Sequence, residues 1–153
     1  MQDSKPVSVP IPVGAKLSAE QCPKTQEEEE DMSRVPYENA VGRLMYAMAC
    51  ARPDIAHAVG VLSRFTSNLG KEHWRTVKWV FRYLHCTSDY GLCYQGRPGL
   101  ERMLDIRGFV DADWDRDLNQ RISTLGYVFS LFGGAASWMS KRQSVVDLST
   151  TKA

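Results

Sequence analysis

Apolar positions recur at three- and four-residue spacing between Pro36 and Cys86, and this spacing predicts three amphipathic helices. The first predicted helix has an apolar stripe of Tyr37, Ala40, Val41, Leu44, Met45 and Met48. The second opens at Pro53, because proline suits a helix start, and has an apolar side of Ile55, Ala58, Val59, Leu62 and Phe65. The third spans about residues 71–85, with a stripe of Trp74, Val77, Phe81 and Leu84.

Two glycines, Gly42 and Gly60, fall inside the first two predicted helices. Each costs about 1 kcal/mol relative to alanine in a helix interior. Close approach of two helices is one reason to keep them, and relaxed selection is another.

After residue 105 the pattern changes to short apolar segments that are separated by polar or glycine-rich turns. The segments predicted as strands are residues 106–110, 124–132 and 135–139. Gly133 and Gly134 predict a turn between the last two, and strand, turn, strand is typical of an antiparallel meander. Residues 89–94 are a further short strand candidate, followed by a predicted turn at residues 96–99.

The sequence therefore predicts an α+β fold in three parts. Residues 1–36 are expected to be an extended or disordered leader, because Pro6, Pro10 and Pro12 disfavour a helix and the acidic run 27–31 is typical of a solvated segment. Residues 37–88 form the helical part, and residues 89–153 contain the sheet.

Composition excludes several classes of protein. With 153 residues, 43% hydrophobic, the chain can bury a core, and a net charge of +1 gives no overall attraction to nucleic acid or to membranes. No apolar run reaches the roughly 20 residues of a membrane-spanning helix, and no secretory signal pattern is present. Cys22, Cys50, Cys86 and Cys93 lack zinc-ligand spacing, so we expect reduced thiols in a cytosolic or nuclear protein.

Four cations follow one side of the third predicted helix: Lys71, Arg75, Lys78 and Arg82. Their spacing places them beside the apolar stripe, where they could follow a nucleic-acid backbone and release its counterions. An ordinary solvated helix face has the same pattern, and base rates favour that alternative.

Carboxylates end the first predicted strand at Asp111 and Asp113. Such hard oxygen ligands suit Mg²⁺. A calcium-binding loop that starts at Asp111 is excluded, because Arg116 and Ile122 stand where glycine and glutamate are needed. The chain has no glycine-rich phosphate loop and no nucleophile elbow, and we expect His57, His73 and His85 to be ordinary surface or core residues.

Several spaced motifs occur in an order that resembles copia-type LTR retrotransposon polyproteins. In the last third these are Asp-Ala-Asp-Trp at 111–114, Arg-x-Ser-Thr-x-Gly-Tyr at 121–127, Gly-Gly-Ala-x-Ser-Trp at 133–138 and Leu-Ser-Thr-Thr at 148–151. Earlier come Leu-Met-Tyr at 44–46, Arg-Pro-Asp-Ile-Ala at 52–56 and Ser-Arg-Phe at 63–65. The resemblance covers essentially the whole chain.

The resemblance implies a thumb- or connection-like helical linker from the end of a reverse transcriptase, followed by the first three strands of a ribonuclease H domain. Asp111 then matches the first metal-binding acid of that domain, with Mg²⁺ as the ancestral cofactor and an RNA–DNA hybrid or template–primer duplex as the ancestral partner. The family's next acid position is occupied by Lys152, and later acids would follow Ala153. No Tyr-x-Asp-Asp acid box of a polymerase palm occurs.

We therefore expect a polyprotein remnant that is catalytically inactive by itself, with at most weak nucleic-acid binding through Lys71, Arg75, Lys78 and Arg82. Membranes and small-molecule substrates are not expected as partners. Two alternatives remain open. Another chain could complete a ribonuclease H site around Asp111, or the chain could be a host-adopted interaction module that uses an exposed sheet edge.

Overall fold

The computed structural model describes residues 6–12, 14–15, 17–95, 106–113 and 124–143, with only the backbone described at Ala112 and Asp113. It shows an α+β fold in which helices precede a three-stranded antiparallel sheet. The helices are α1 (Gln26–Ser33), α2 (Tyr37–Ala51), α3 (Ala56–Leu62) and α4 (Lys71–Cys86), and the strands are β1 (Ile106–Asp113), β2 (Thr124–Leu131) and β3 (Gly134–Arg142). The chain divides into a helical unit, Met1–Tyr90, and a sheet unit, Gly91–Ala153.

The three predicted helices correspond to α2, α3 and α4, which pack around one core in the helical unit. Its fully buried members include Tyr37, Leu44, Ile55, Leu62, Val77 and Val80. The Tyr37 hydroxyl donates a hydrogen bond of 2.8 Å to the Leu62 carbonyl, which satisfies a buried polar group between α2 and the end of α3. On α4 the buried side is centred on Val77 and Val80, while Trp74, Phe81 and Leu84 are only partly buried around it.

The leader differs from the expectation of an extended or disordered segment. Val7 is buried in the helical core, and the indole N–H of Trp79 donates to the Val9 carbonyl over 2.9 Å. Residues Gln26–Ser33 form α1, whose N-cap Thr25 accepts the Glu28 N–H. Three acids in the first turn of α1 favour the helix further because they face its positive dipole end.

A close contact joins the leader to the start of α4. A Cβ at Gly70 would overlap the Gln21 carbonyl oxygen, so only glycine fits the N-cap position. The Gly70 N–H donates to Nδ1 of His73 over 2.8 Å, and the imidazole stacks on Phe65 with ring centroids 3.9 Å apart. His73 is fully buried and caps the helix through its side chain.

Arg52 joins the end of α2 to the end of α4. Its guanidinium makes a bidentate contact with Asp54, at 3.0 and 2.7 Å, and donates to the Thr87 carbonyl over 3.0 Å. The Tyr83 hydroxyl also donates to Asp54, over 2.8 Å. Burial alone would raise the pKa of Asp54, but the hydrogen bonds from Arg52 and Tyr83 outweigh it and lower that pKa.

The sheet unit has the strand order β1-β2-β3 with both pairs antiparallel, as the meander pattern predicts. The β2–β3 turn lies one residue earlier than expected, at Phe132 and Gly133, whose φ angles are 50° and 84°. Positive φ at both central residues is the type I′ geometry that matches the twist of a hairpin. Gly134 instead begins β3, where a Cβ would come within 2.6 Å of the Tyr94 ring.

Residues 89–94 do not form the expected strand. The segment after Gly91 lies against the hairpin turn instead, because the Gln95 N–H donates to the Phe132 carbonyl over 2.9 Å and the Tyr94 hydroxyl donates to the Ala135 carbonyl over 2.7 Å. The turn expected at residues 96–99 and the Leu-Ser-Thr-Thr motif lie outside the described residues.

Gly42 corrects another expectation. It lies on an exposed side of α2, and nothing lies within 4 Å of the position its Cβ would take. Close helix–helix approach at Gly42 is therefore wrong as an explanation.

Gly70→Ala and Gly42→Ala form a matched pair for testing the leader contact. We expect Gly70→Ala to lower the free energy of unfolding by about 1–3 kcal/mol, because the added methyl group meets backbone that cannot rotate away. Gly42→Ala should raise the same quantity by up to about 1 kcal/mol through helix propensity alone. Urea unfolding of the full chain measures both, and equal effects of the two substitutions would contradict the contact.

His73 should make stability depend on pH. Burial lowers the pKa of His73, against weaker opposing effects of the Ser18 backbone and the Glu72 charge. The unfolded chain then binds a proton at His73 more readily than the folded chain does. The free energy of unfolding therefore has its full value above the unfolded pKa of about 6.5 and declines as the pH falls below it. Urea midpoints at about pH 7.5 and about pH 5.5 measure this decline.

The variant His73→Gln keeps an acceptor for the Gly70 N–H and removes the titration. It should show a smaller difference between the two pH values than the exposed control His85→Gln. Identical pH dependence in the two variants would mean that His73 is not the titrating group.

Candidate functional site

The four predicted cations lie on one side of α4, as their spacing requires. Lys71, Arg75 and Lys78 are exposed, while Arg82 is half-buried with its guanidinium 5.3 Å from the Trp79 ring centroid. The opposite side of α4 packs into the core. We call this row of Lys71, Arg75, Lys78 and Arg82 the cationic stripe.

Acidic side chains partly neutralise the cationic stripe. The Lys71 ammonium is 3.8 Å from the Asp31 carboxylate on α1, and Arg75 contacts Glu72 at 3.0 Å. Both pairs are largely exposed, and such pairs contribute only about 0–1 kcal/mol. A phosphate group could therefore replace either acid as the partner of the cation.

The acidic helix α1 also shapes the potential at the start of the stripe. The Lys24 N–H, 3.0 Å from the Glu28 carboxylate, is the main cause of the lowered pKa of Glu28, and the charge of Lys71 contributes less. Glu28 therefore stays ionised close to Lys71.

A shallow groove of about 380 Å³ lies beside the stripe, between the leader and α4. Its α4 wall contains Arg75, so groove and stripe share one cation. The lining residues are Pro12, Gly14, Ala15, Leu17, Gln21, Glu72, Arg75, Thr76 and Trp79.

Apart from an irregularity in the β2–β3 pairing between Phe129 and Ser130, the register of the sheet assigns its described side chains to two faces. The apolar face carries Ile106, Val110, Leu125, Tyr127, Phe129, Leu131 and Met139. The mixed face carries Arg107, Phe109, Asp111, Val128, Trp138 and Arg142. The predicted acid therefore does not share a face with the main apolar cluster.

Asp111 is exposed on β1, where it pairs with Gly126, which in turn pairs with Ser140. Asp113 pairs with Thr124 through its backbone, and its side chain is outside the description. No group of three metal-ligating side chains occurs among the described residues. The described residues alone therefore do not form a two-metal centre, which needs several acids around its ions.

Two local sequence patterns indicate structural features next to the cationic stripe. The spacing of Glu72 and Arg75 is that of a helical ion pair. Thr25 followed three residues later by Glu28 is a capping-box pattern that predicts the start of α1. The contact of Asp31 with Lys71 joins residues of different helices, and no local pattern signals it.

Other candidate chemistry is absent from the described part of the chain. His57 and His85 are exposed, whereas His73 serves as a helix cap. All four cysteines are free, and burial raises the pKa of the Cys22 thiol. Among the described helices, none combines the length and apolarity that a membrane crossing needs.

The chain matches long transposon polyproteins over all of its 153 residues. It is 52% identical to the retrovirus-related Pol polyprotein from transposon TNT 1-94 of Nicotiana tabacum and 35% identical to that from transposon RE2 of Arabidopsis thaliana. The chain belongs to the copia-type retrotransposon Pol polyprotein family. It spans 11% and 10% of the lengths of these two relatives.

A much shorter relative of this Pol segment also matches. The chain is 49% identical over 121 residues to the secreted RxLR effector protein 161 of Plasmopara viticola. The aligned region covers 79% of this chain and 82% of that protein. No family model and no solved structure matches the Pol segment.

Proposed function

We propose that this Pol segment is a polyprotein remnant that lacks catalytic activity by itself and binds nucleic acid weakly through the cationic stripe. The observation that carries the proposal is the placement of Lys71, Arg75 and Lys78, which are exposed together on one side of α4. Family membership supports an origin in an RNA-directed DNA polymerase and ribonuclease H polyprotein. The favoured partner is an RNA–DNA hybrid or a template–primer duplex.

The dimensions of the stripe suit a short stretch of backbone. Arg82 lies eleven positions after Lys71, and at a rise of about 1.5 Å per residue the two are roughly 16 Å apart along the helix. That length corresponds to about five nucleotide steps of roughly 3.4 Å along one strand. Three or four phosphate contacts give weak binding that is strongly dependent on salt.

A triple substitution tests the stripe. In Lys71→Gln/Arg75→Gln/Lys78→Gln, we expect the salt dependence of binding to a labelled RNA–DNA hybrid to flatten by about three in the slope of log K against log salt. Binding at low salt should weaken by at least about tenfold, because three counterion-releasing contacts are lost. Fluorescence anisotropy across a salt series measures both quantities.

The matched control is Lys24→Gln/Arg34→Gln/Arg43→Gln, which removes the same net charge from exposed positions of the helical unit outside the stripe. It should keep the original slope. Equal losses in the two triple variants would show that binding follows net charge and not the stripe.

A second candidate function is ribonuclease H-type hydrolysis, completed by acids from another chain. The sheet order β1-β2-β3, with Asp111 exposed on β1, supports a ribonuclease H-like assignment of this unit. In that assignment Asp111, with Asp113 from the same strand, would hold Mg²⁺. The ion would stabilise charge on the phosphodiester and activate water. The remaining ligands would come from outside the described residues.

A cleavage assay separates the two candidates. With an RNA–DNA hybrid and Mg²⁺, we expect the chain alone to cleave no faster than its Asp111→Asn variant, because one described carboxylate cannot complete a two-metal centre. Product is measured on a denaturing gel. Metal-dependent cleavage that disappears in Asp111→Asn would instead support a ribonuclease H site that includes Asp111, completed by a second copy of the chain or by acids outside the described residues.

A stand-alone interaction module is the remaining candidate. It is favoured by the short relative from Plasmopara viticola, of which this chain covers 82%. That relative is named as a secreted effector, and a comparable role here would depend on an exposed surface that can bind a protein. In the described part of the sheet, the outer edge of β1 is such a surface.

A further inference from the structure

β1 is an open edge in the described part of the sheet. It pairs with β2 on one side only, over eight residues, and its described side chains, at positions 106–111, are exposed on both faces. Ile106, Phe109 and Val110 are 59%, 61% and 69% exposed. A long edge with apolar side chains presents unpaired N–H and C=O groups, and it readily pairs with another strand.

The sequence of β1 is complementary to itself in an antiparallel arrangement. Arg107, Phe109 and Asp111 alternate along the strand, so all three side chains lie on the mixed face. If two copies of β1 pair about a two-fold axis at Phe109, Arg107 of each copy lies opposite Asp111 of the other. Two opposite-charge pairs then flank a central pair of phenylalanine rings, and both kinds of cross-strand pair are favourable.

We propose that two copies of this chain dimerise by pairing their β1 strands antiparallel about Phe109, which joins two three-stranded sheets into one of six strands. The interface is isologous, as a two-fold axis requires. The proposal does not depend on nucleic-acid binding, so the two can fail separately.

Neighbouring registers are less favourable. With the axis moved to Val110, Phe109 would lie opposite Asp111 of the second copy, and a carboxylate would be desolvated against an aromatic ring. With the axis moved to Gly108, Arg107 would lie opposite Phe109 and lose its acidic partner. Of these three registers, only the axis at Phe109 places Arg107 opposite Asp111 and keeps Phe109 away from a charged side chain of the second copy.

The apolar face accepts the same register. The Phe129 ring lies over Gly108, so close that a Cβ on that glycine would come within 2.7 Å of it. In the proposed dimer, Val110 of the second copy lies opposite Gly108 and beside this ring. On the mixed face Arg107 can add Asp111 to its existing contacts, because a guanidinium has five N–H donors.

Reversing the charges at Arg107 and Asp111, singly and together, tests the proposal on the full chain. Sedimentation and light scattering over a concentration series should show a monomer–dimer equilibrium. Asp111→Arg and Arg107→Asp should each weaken dimerisation at least about tenfold, because like charges become opposite one another. The double variant Arg107→Asp/Asp111→Arg should restore it to within about threefold of the original dissociation constant.

Two controls assign the edge and the register. Lys141→Asp changes an exposed charge on β3, the other edge strand, and Asp113→Arg would weaken only a dimer centred on Val110. Neither should weaken dimerisation, because Asp113 has no partner within β1 in the proposed register, and circular dichroism should confirm the fold of every variant. A chain that is monomeric at all concentrations, failure of the double variant to restore dimers, or loss of dimers in either control would overturn the proposal.

Discussion

The helical unit depends on the close approach of the leader to the start of α4. The Gln21 carbonyl occupies the space in which any residue other than glycine at position 70 would place a side chain. Next to this contact, His73 is buried, caps the helix and stacks on Phe65. The leader then continues into α1, whose Asp31 carboxylate lies 3.8 Å from the Lys71 ammonium at the start of α4. The leader, despite its prolines and acidic residues, thus contributes Val7 to the core of the helical unit.

The same packing gives α4 its two different sides. One side is buried among α2 and α3, and the other carries the cationic stripe with acidic neighbours from α1 and from α4 itself. Exposed ion pairs of this kind are weak and are screened by salt. The stripe is therefore neither neutralised permanently nor left as a bare positive surface. Arg52 differs, because it is held by Asp54 and Thr87 and its role is structural.

Local patterns in the sequence predicted the elements whose stability is local. Apolar periodicity predicted α2, α3 and α4, and alternation with a glycine-rich turn predicted the strands. The cationic stripe followed from helical spacing alone. The burial of Val7 and the bond from Trp79 to Val9 were not predicted, since they join residues far apart in the chain. The turn lies at Phe132 and Gly133, one residue earlier than predicted, and Gly134 instead lies against the Tyr94 ring, a contact that no turn rule contains. The metal-binding role of Asp111 and Asp113 stays a prediction.

The short segment from Gly91 to Gln95 has a consequence for how this piece of a polyprotein is divided. It is irregular in conformation, yet it donates hydrogen bonds to Phe132 in the β2–β3 turn and to Ala135 at the start of β3. The natural border between the two units therefore precedes this segment and does not coincide with the first residue of β1. A piece cut at the first residue of β1 would lose two hydrogen bonds to the β2–β3 turn and to the start of β3. The sheet unit is thus longer than its strands.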